Sequence, residues 1–460
     1  MTAPALQPLA RYIATARFDG DDKRLRERLW MTLLDWSSAL LAGTGHNLLD
    51  AYRQGLLESG ATGPCSVVAT PGRHPLSAAA ATNAAISHLF EVDDAHRDST
   101  SHPGITVVPA VMALAEARGL DAKTAAAAIV AGIETVLRVG SYLGARHYGI
   151  CHTTATAGSL GAAAAAARAI GLDEAATLAA LGHAGTQAAG LWAFLDDDAK
   201  AAKAFHAATA VRNGIAAARL AEAGIPSAVR ILEGPRGMRA AWKLDDCDPD
   251  WLIPGDEPMI HRVTVKGWPV CGQMHSALDC AAALAKADPL FAAGDAPVTV
   301  DLPAGALAIA VGENPQTVAD AKFATAFCIA AVLCARPPSF SGLNDALLAD
   351  AQIRSRADTV KLREDPAFTA RFPAERPARV TIHGKTGDLS EERSFRQGDP
   401  EAPWSHEAMI ERTRAVLALT PLQTDPAGLV DWCDRFADAN ASWKADELFH
   451  FIETPAGQTP

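Results

Sequence analysis

The stretch DAKTAAAAIVAGIETVLRVGSYLG, residues 121–144, decides the fold class of the first half of the chain. It opens on Asp121, whose carboxylate can accept from the free N–H groups of a helix start. It continues through Ala125–Ala128, the residue type with the highest helix propensity, and it stops at Gly144. Its neighbours on both sides read the same way. LRERLWMTLLDWSSALLAG (25–43) places apolar residues at three- and four-residue spacing and ends at Gly43. LSAAAATNAAIS (76–87) and ITVVPAVMALAEARGL (105–120) are helices of small or apolar residues. TAGSLGAAAAAARAIG (156–171), DEAATLAALGHAGTQAAG (173–190) and AAKAFHAATAVRNGIAAARLAEAG (201–224) follow, each ending at a glycine. Alanine-rich faces let helices approach closely, so residues 1–260 are expected to form one large all-helical domain. Nothing in them has the βαβ alternation or glycine-rich loop of a nucleotide-binding fold.

The texture changes near residue 250. WLIPGDEP (251–258) reads as a linker, punctuated by Pro254, Gly255 and Pro258. HRVTVKGW (261–268) alternates like a strand, SALDCAAALAKA (276–287) returns to helix, and PVTVDLPAGAL (297–307) is a second strand. TVADAKFATAFCIAAVLCA (317–335) reads as one buried helix. PARVTIHGKTGDLSEERSFRQG (377–398) reads as a hairpin turning at 384–387. Residues 261–402 are therefore expected to form an α+β domain. The helices SHEAMIERTRAVLALT (405–420) and PAGLVDWCDRFADANA (426–441) make a tail, 403–460, too short for its own core and expected to return to the first domain. The fold class is mainly α with an α+β domain.

Bulk properties exclude several classes. A chain of 460 residues exceeds one core. Its net charge of −12 argues against nucleic acid and against an anionic membrane surface, and it obliges any anionic substrate to find a local basic pocket. The eight cysteines contain no CxxC pair, which removes zinc-ribbon and iron–sulfur readings. The start lacks a basic segment followed by an apolar one, so a cytoplasmic protein is expected. The apolar run 323–335 is shorter than the roughly 20 residues a bilayer requires. The alanine-rich stretches are interrupted by Glu134, Arg138 and Arg168.

Against this apolar background, NAAISHLFEVDDAHRDSTSHPG (83–104) concentrates His88, His96 and His102 with Glu91, Asp93, Asp94 and Asp98. Histidine titrates near neutrality and a carboxylate can fix its tautomer, which suits proton transfer. ARHYGICHTTATAG (145–158) brings His147, Tyr148 and His152 to the start of a helix that Thr153, Thr154 or Thr156 would cap, leaving N–H groups for a carboxylate. LDDDAKAAKAFHAATA (195–210) puts Lys203 and His206 three apart on one helix face. VTVKGWPVCGQMHSA (263–277) supplies Lys266, Cys271 and His275. Asn83 reads as a cap or helix-end hydrogen bonder. Asp93, Asp94, His96 and His102 include good metal-ligand types, but they lie in one segment without a spaced helix pair such as HExxH.

The order N…H-x-x-x-x-D-D-x-H…H-P-G, then Y-G-x-x-H-x-T, then K-x-x-H, then K-x-x-P resembles the MmgE/PrpD family, with ILEGPRGM (231–238) and AKFATAF (321–327) also fitting. That family includes 2-methylcitrate dehydratase, cis-aconitate decarboxylase and iminodisuccinate epimerase. The resemblance implies an all-helical domain plus a smaller α+β lid domain, with the active site in the cleft between them. It implies a homodimer, no cofactor and no metal. It also implies catalytic roles for His102, Asp93, Asp94, His152, Lys203 and Lys266, with His96, Tyr148, His206, Cys271 and His275 around a small anionic carboxylate. The chain departs from the pattern at Ala95 (threonine in some members), Glu91 (aspartate), Cys271 (histidine in cis-aconitate decarboxylase) and Phe327 (tyrosine). All but the change at Glu91 make the pocket less hydrogen-bonding and weigh against the decarboxylase.

The chemistry such residues allow begins with removal of a proton next to a carboxylate. It needs a base near neutral pKa and cations where the enediolate charge develops. Histidines supply the first, Lys203 and Lys266 the second. The leading expectation is a dehydratase-type lyase acting on a hydroxylated di- or tricarboxylate. An epimerase of an imino or amino diacid and a cis-aconitate-type decarboxylase are the alternatives, and a non-catalytic carboxylate-binding paralogue is the alternative of another class.

Overall fold

The computed structural model describes residues 3–197, 199–372 and 374–452 and, at Lys200, the backbone alone. Helix accounts for 55% of the chain, accompanied by one small mixed four-stranded sheet, which makes the protein mainly α with an α+β part. It divides into two compact units, Met1–Val263 with Thr420–Pro460, and Thr264–Leu419.

The first unit is built from α1 (Gln7–Thr15), α2 (Lys23–Gly43), α3 (Leu49–Leu56), α4 (Leu76–His88), α5 (Gly104–Arg118), α6 (Ala122–Tyr148), α7 (Thr153–Ala169), α8 (Glu174–Thr186), α9 (Lys203–Glu222) and the short α10 (Met238–Ala241). Aspartates start several of them. Asp22 accepts from Arg24 N and Leu25 N, Asp121 from Thr124 N and Asp173 from Ala176 N. The central layer is α6, α7 and α9, with α7 packed against both of the others. Small residues permit this. A Cβ on Gly161 of α7 would meet Val136 Cγ2 of α6 at 2.1 Å, and one on Gly214 of α9 would meet Ala162 Cβ of α7 at 2.4 Å. The apolar faces are shut by backbone proximity that no larger residue allows.

Helix α6 is long and apolar enough to cross a bilayer, but 94% of that apolar window is buried in the protein, the placement of a core helix. Its two buried charges answer each other. Arg138 Nε donates to Glu134 Oε1, and the pair recruits backbone: Glu134 Oε2 accepts from Met259 N, while Arg138 Nη1 donates to Trp251 O and Ile253 O. The stretch 251–258, expected to be a linker, is thus pinned along α6. At Gly144 the backbone turns to φ 75°, ψ −175°, ending the regular helix where the sequence placed its end. One further turn carries the chain to Tyr148.

In the second unit, β1 (Val298–Leu302) pairs in parallel with β2 (Val360–Glu364) and antiparallel with β3 (Ala378–Ile382). β3 pairs with β4 (Leu389–Arg393), giving the order β2-β1-β3-β4. Val298, Val300, Leu302, Val380 and Ile382 bury one face against helices His275–Ala287 and Thr325–Leu333, and Phe327 is part of that core. Strand β2 has no counterpart in the sequence expectations, because its charged VKLRE pattern leaves only Val360 buried.

Three expectations are corrected here. HRVTVKGW is not a sheet strand: Met259–Arg262 is a 3-10 turn. Beyond it the groups a ladder would need go elsewhere, Val265 N to Gly398 O, Val265 O to Trp404 Nε1 and Lys266 O to Arg412 Nε. The helix expected over 317–335 is two, Val318–Ala321 and Thr325–Leu333. They are separated because Lys322 O accepts from Cys271 N and Phe323 O from Gly312 N. The C-terminal return begins at Thr420 rather than 403, since the Arg412 bond holds helix His406–Leu417 in the second unit.

Helix α5 starts at a glycine for a steric reason. Both carboxylate oxygens of Asp94 lie 3.0 Å from Gly104 N, and a Cβ at residue 104 would sit 2.8 Å from Asp94 Oδ2. Gly104→Ala is therefore expected to lower stability by about 1–3 kcal/mol, as overpacking does. Gly55→Ala in α3, where a Cβ meets nothing within 4 Å, should be neutral or slightly stabilising. Paired denaturant midpoints check both.

Candidate active site

The segment between α4 and α5 carries the first half of the site. His88 is the last residue of α4 and is buried, with Nδ1 3.0 Å from Asp93 Oδ1. His102 Nδ1 donates to the Asp94 carbonyl at 2.6 Å and lies 3.0 Å from Asp93 Oδ2. A carbonyl only accepts, so Nδ1 of His102 carries a proton, and in the neutral ring Nε2 keeps its lone pair. His102 N is held by Thr154 Oγ1 at 3.1 Å. Asp93 thus stands between two imidazoles, a carboxylate placed to stabilise either as a cation.

The other half comes from the α6–α7 junction and α9. His152, the N-cap residue of α7, is buried, and its Nδ1 is 3.2 Å from Nδ1 of His206 on α9. Ring centroids of His88, His102 and His152 are 5.1, 6.0 and 6.3 Å apart, and Trp192 covers His152 at 4.8 Å. Trp192 Nε1 donates to Tyr148 O, which fixes Tyr148 beside it. Lys203, the first residue of α9, reaches into the cluster, and its Nζ donates to both oxygens of Glu91 at 2.7 Å. Four histidines, one lysine and two carboxylates from three helices and one loop thus meet in the first unit.

Burial sets the charge states. It pushes the His152 pKa well down, aided by Lys203 and by His102, His206 and His88. Burial, with His88 and Lys203, lowers His206 to about 4. Lys203 responds differently: burial opposes its charge, but Glu91 and Asp93 outweigh it and hold the pKa above the ordinary value. Burial, Asp35 and Asp93 push the Asp94 carboxyl well up.

Several candidates have other work. The Asp94 carboxylate belongs to the start of α5, so its part in the site runs through its carbonyl. His96 accepts from Ser99 N at 3.2 Å and closes the turn bridging to Ser101, away from the ring cluster. His147 is buried against Trp242. None of Thr153, Thr154 and Thr156 caps α7 with its side chain. Asn83, inside α4 rather than at its end, pins the 66–68 segment through Val68 N and Ser66 O. Lys266, Cys271 and His275 lie in the second unit. There His275 donates Nε2–H to Val270 O, and burial with Arg396 and Lys266 lowers its pKa to about 3. Lys200 sits in a 3-10 turn before α9, and its side chain lies outside the described residues.

The sequence reading did not place His88 or Glu91 among the working residues. The spacing signal existed: Asp93 lies five residues past His88, across the end of α4, and Glu91 three. His88, Asp93 and His102 also offer three donor atoms within 4.8 Å of one another, a grouping that suits a metal ion. The carbonyl of Asp94 decides against that use of His102 Nδ1, because a nitrogen that donates a proton has no lone pair for a metal.

Residues 7–247 match the MmgE/PrpD N-terminal domain and residues 268–424 the MmgE/PrpD C-terminal domain. The chain belongs to the MmgE/PrpD family. It is 31% identical over 242 residues to the cis-aconitate decarboxylase-like protein oryM of Aspergillus oryzae, covering 45% of this chain and 48% of that protein. It is 26% identical over 273 residues to the cis-aconitate decarboxylase of Aspergillus terreus, covering 55% and 54%. The chain spans about half the length of the curated relatives it matches.

Buried neutral histidines make an acid-labile family member. Burial lowers His147 to about 4, against an ordinary 6.5. Its neutral form is favoured in the fold, so its contribution is complete above pH 6.5 and falls as the unfolded chain takes up protons between 6.5 and about 4. The slope is at most about 1.4 kcal/mol per pH unit for this group. His206 acts in the same window and direction. Chemical denaturation from pH 8 to 4 should show a steady loss that His147→Leu makes shallower.

Proposed function

We propose that this chain is a lyase that removes a proton from the carbon beside a carboxylate of a small di- or tricarboxylate. The observation that carries the reading is His102. Its Nδ1–H is held by the Asp94 carbonyl, its flank faces Asp93, and a part-buried lysine stands in the same cluster. Such a carbon acid is weak because the enediolate concentrates charge, so the site needs a positioned base and a nearby cation. His102 Nε2 takes the proton, and Asp93 stabilises the imidazolium that forms. Lys203 balances the charge on the substrate carboxylate. Lys266 is assigned a second anion-holding role on its sequence pattern.

Elimination is the first fate: the C–OH bond breaks, the electron pair of the enediolate forms the double bond, and hydroxide leaves as water by taking back the proton that His102 removed. Decarboxylation is the second reading, favoured by the relatives named cis-aconitate decarboxylase or cis-aconitate decarboxylase-like. The two are separated by assaying 2-methylcitrate against cis-aconitate, reading water loss or carbon dioxide release.

His102→Gln should abolish turnover and Cα–hydrogen exchange in deuterated water while leaving the dissociation constant within a few-fold. Lys203→Ala should cost about 10²–10³ in kcat/KM, as loss of an oxyanion donor does, and should weaken binding. Lys266→Ala should weaken binding too. Full activity in Lys203→Ala, or retained exchange in His102→Gln, contradicts the assignment. Turnover of an imino diacid with no activity on either tricarboxylate would move the chain to epimerase chemistry.

A further inference from the structure

The cation the reaction needs is already occupied. Lys203 Nζ donates to both oxygens of Glu91 at 2.7 Å, a bidentate pair in which neither side chain is more than one-fifth exposed. A carboxylate held this way has the chemistry and the two-oxygen geometry of a substrate carboxylate. The pair is electrically neutral, and Asp93 adds a negative charge beside it. An anion approaching this cluster therefore meets no net positive charge while Glu91 stays in place.

Glu91 is also held under strain. Its backbone sits at φ 62°, in the left-handed region that a non-glycine residue adopts only at a cost. It lies in the short segment joining His88, the end of α4, to Asp93. Its Oε1 is 3.9 Å from His88 Nε2, an atom with no hydrogen bond among the described residues. Glu91 can leave Lys203 without moving His102, which is tied to Asp94 and Thr154.

We infer that Glu91 is a placeholder for a substrate carboxylate on Lys203, and that substrate binds by exchanging with it. The inference rests on the proposed polycarboxylate site and names how that site selects. A ligand must present a carboxylate that makes the same two bonds to Lys203 and must offset the loss of the Glu91 pair with a second anionic group. Two or more carboxylates are thus required, and monocarboxylates are excluded.

The test measures citrate and acetate binding by calorimetry, together with thermal unfolding, for the wild type, Glu91→Gln and Lys203→Ala. Glu91→Gln should bind citrate at least ten-fold more tightly than wild type and unfold at a lower temperature without ligand. It should also admit acetate, which the wild type refuses. A merely structural Glu91 would lower stability and affinity together. Citrate binding by the wild type that is unchanged or weakened in Glu91→Gln overturns the placeholder and leaves the proposed function standing. Citrate binding by neither protein overturns both. Glu91→Asp, one methylene shorter, should fall between wild type and Glu91→Gln; equal affinity in all three would also overturn the inference.

Discussion

The site depends on what Asp94 does with both ends of one residue. Its carboxylate closes on Gly104 N at the first turn of α5, and its carbonyl takes the Nδ1 proton of His102. One residue therefore ties the start of a core helix to the tautomer of His102. Since Gly104 admits the carboxylate only by lacking a Cβ, three residues in a short sequence share a single steric solution. His102, the proposed base, is oriented by the same contacts that fold the loop, so its direction is set before any ligand arrives.

Around that anchor the protein pairs its charged side chains. Lys203 is matched by Glu91, Arg138 by Glu134, and Asp93 faces two imidazoles. A buried charge that loses its partner is costly, which favours a site in which one partner is exchanged for another. His152 and His206, pushed down by burial and by their cationic neighbour, stay neutral at pH 7 and serve as polar walls. His102 differs from them in having Asp93 at its side.

Much of this was legible in the residues. The helices of the first unit follow from alanine runs and three- and four-residue apolar spacing, with Asp121 opening α6, and the three-residue spacing on α9 does put Lys203 and His206 on one face. The hairpin of β3 and β4 follows from alternation around a glycine-containing turn. Tertiary bonds decided the rest. Residues 261–268 alternate like a strand but give their backbone groups to Gly398, Trp404 and Arg412, and the expected helix 317–335 breaks where its carbonyls serve Cys271 and Gly312. Strand β2 was illegible because a mostly charged edge strand has no apolar face to betray it. The roles of His88 and Glu91 were hidden for a similar reason: proximity across a helix end is set by the loop's path, including a positive φ at Glu91 that composition does not announce.

The most direct test of the account is the tautomer of His102, read from ¹⁵N chemical shifts of the imidazole nitrogens in histidine-labelled protein at pH 7.5, assigned with His102→Gln. The structure predicts a protonated Nδ1, with Nε2 free of its proton in the neutral ring, and Asp93→Asn leaving that tautomer in place. A neutral His102 carrying its proton on Nε2 would contradict the account, because Nδ1 could then not donate to the Asp94 carbonyl and Nε2 could not accept a substrate proton.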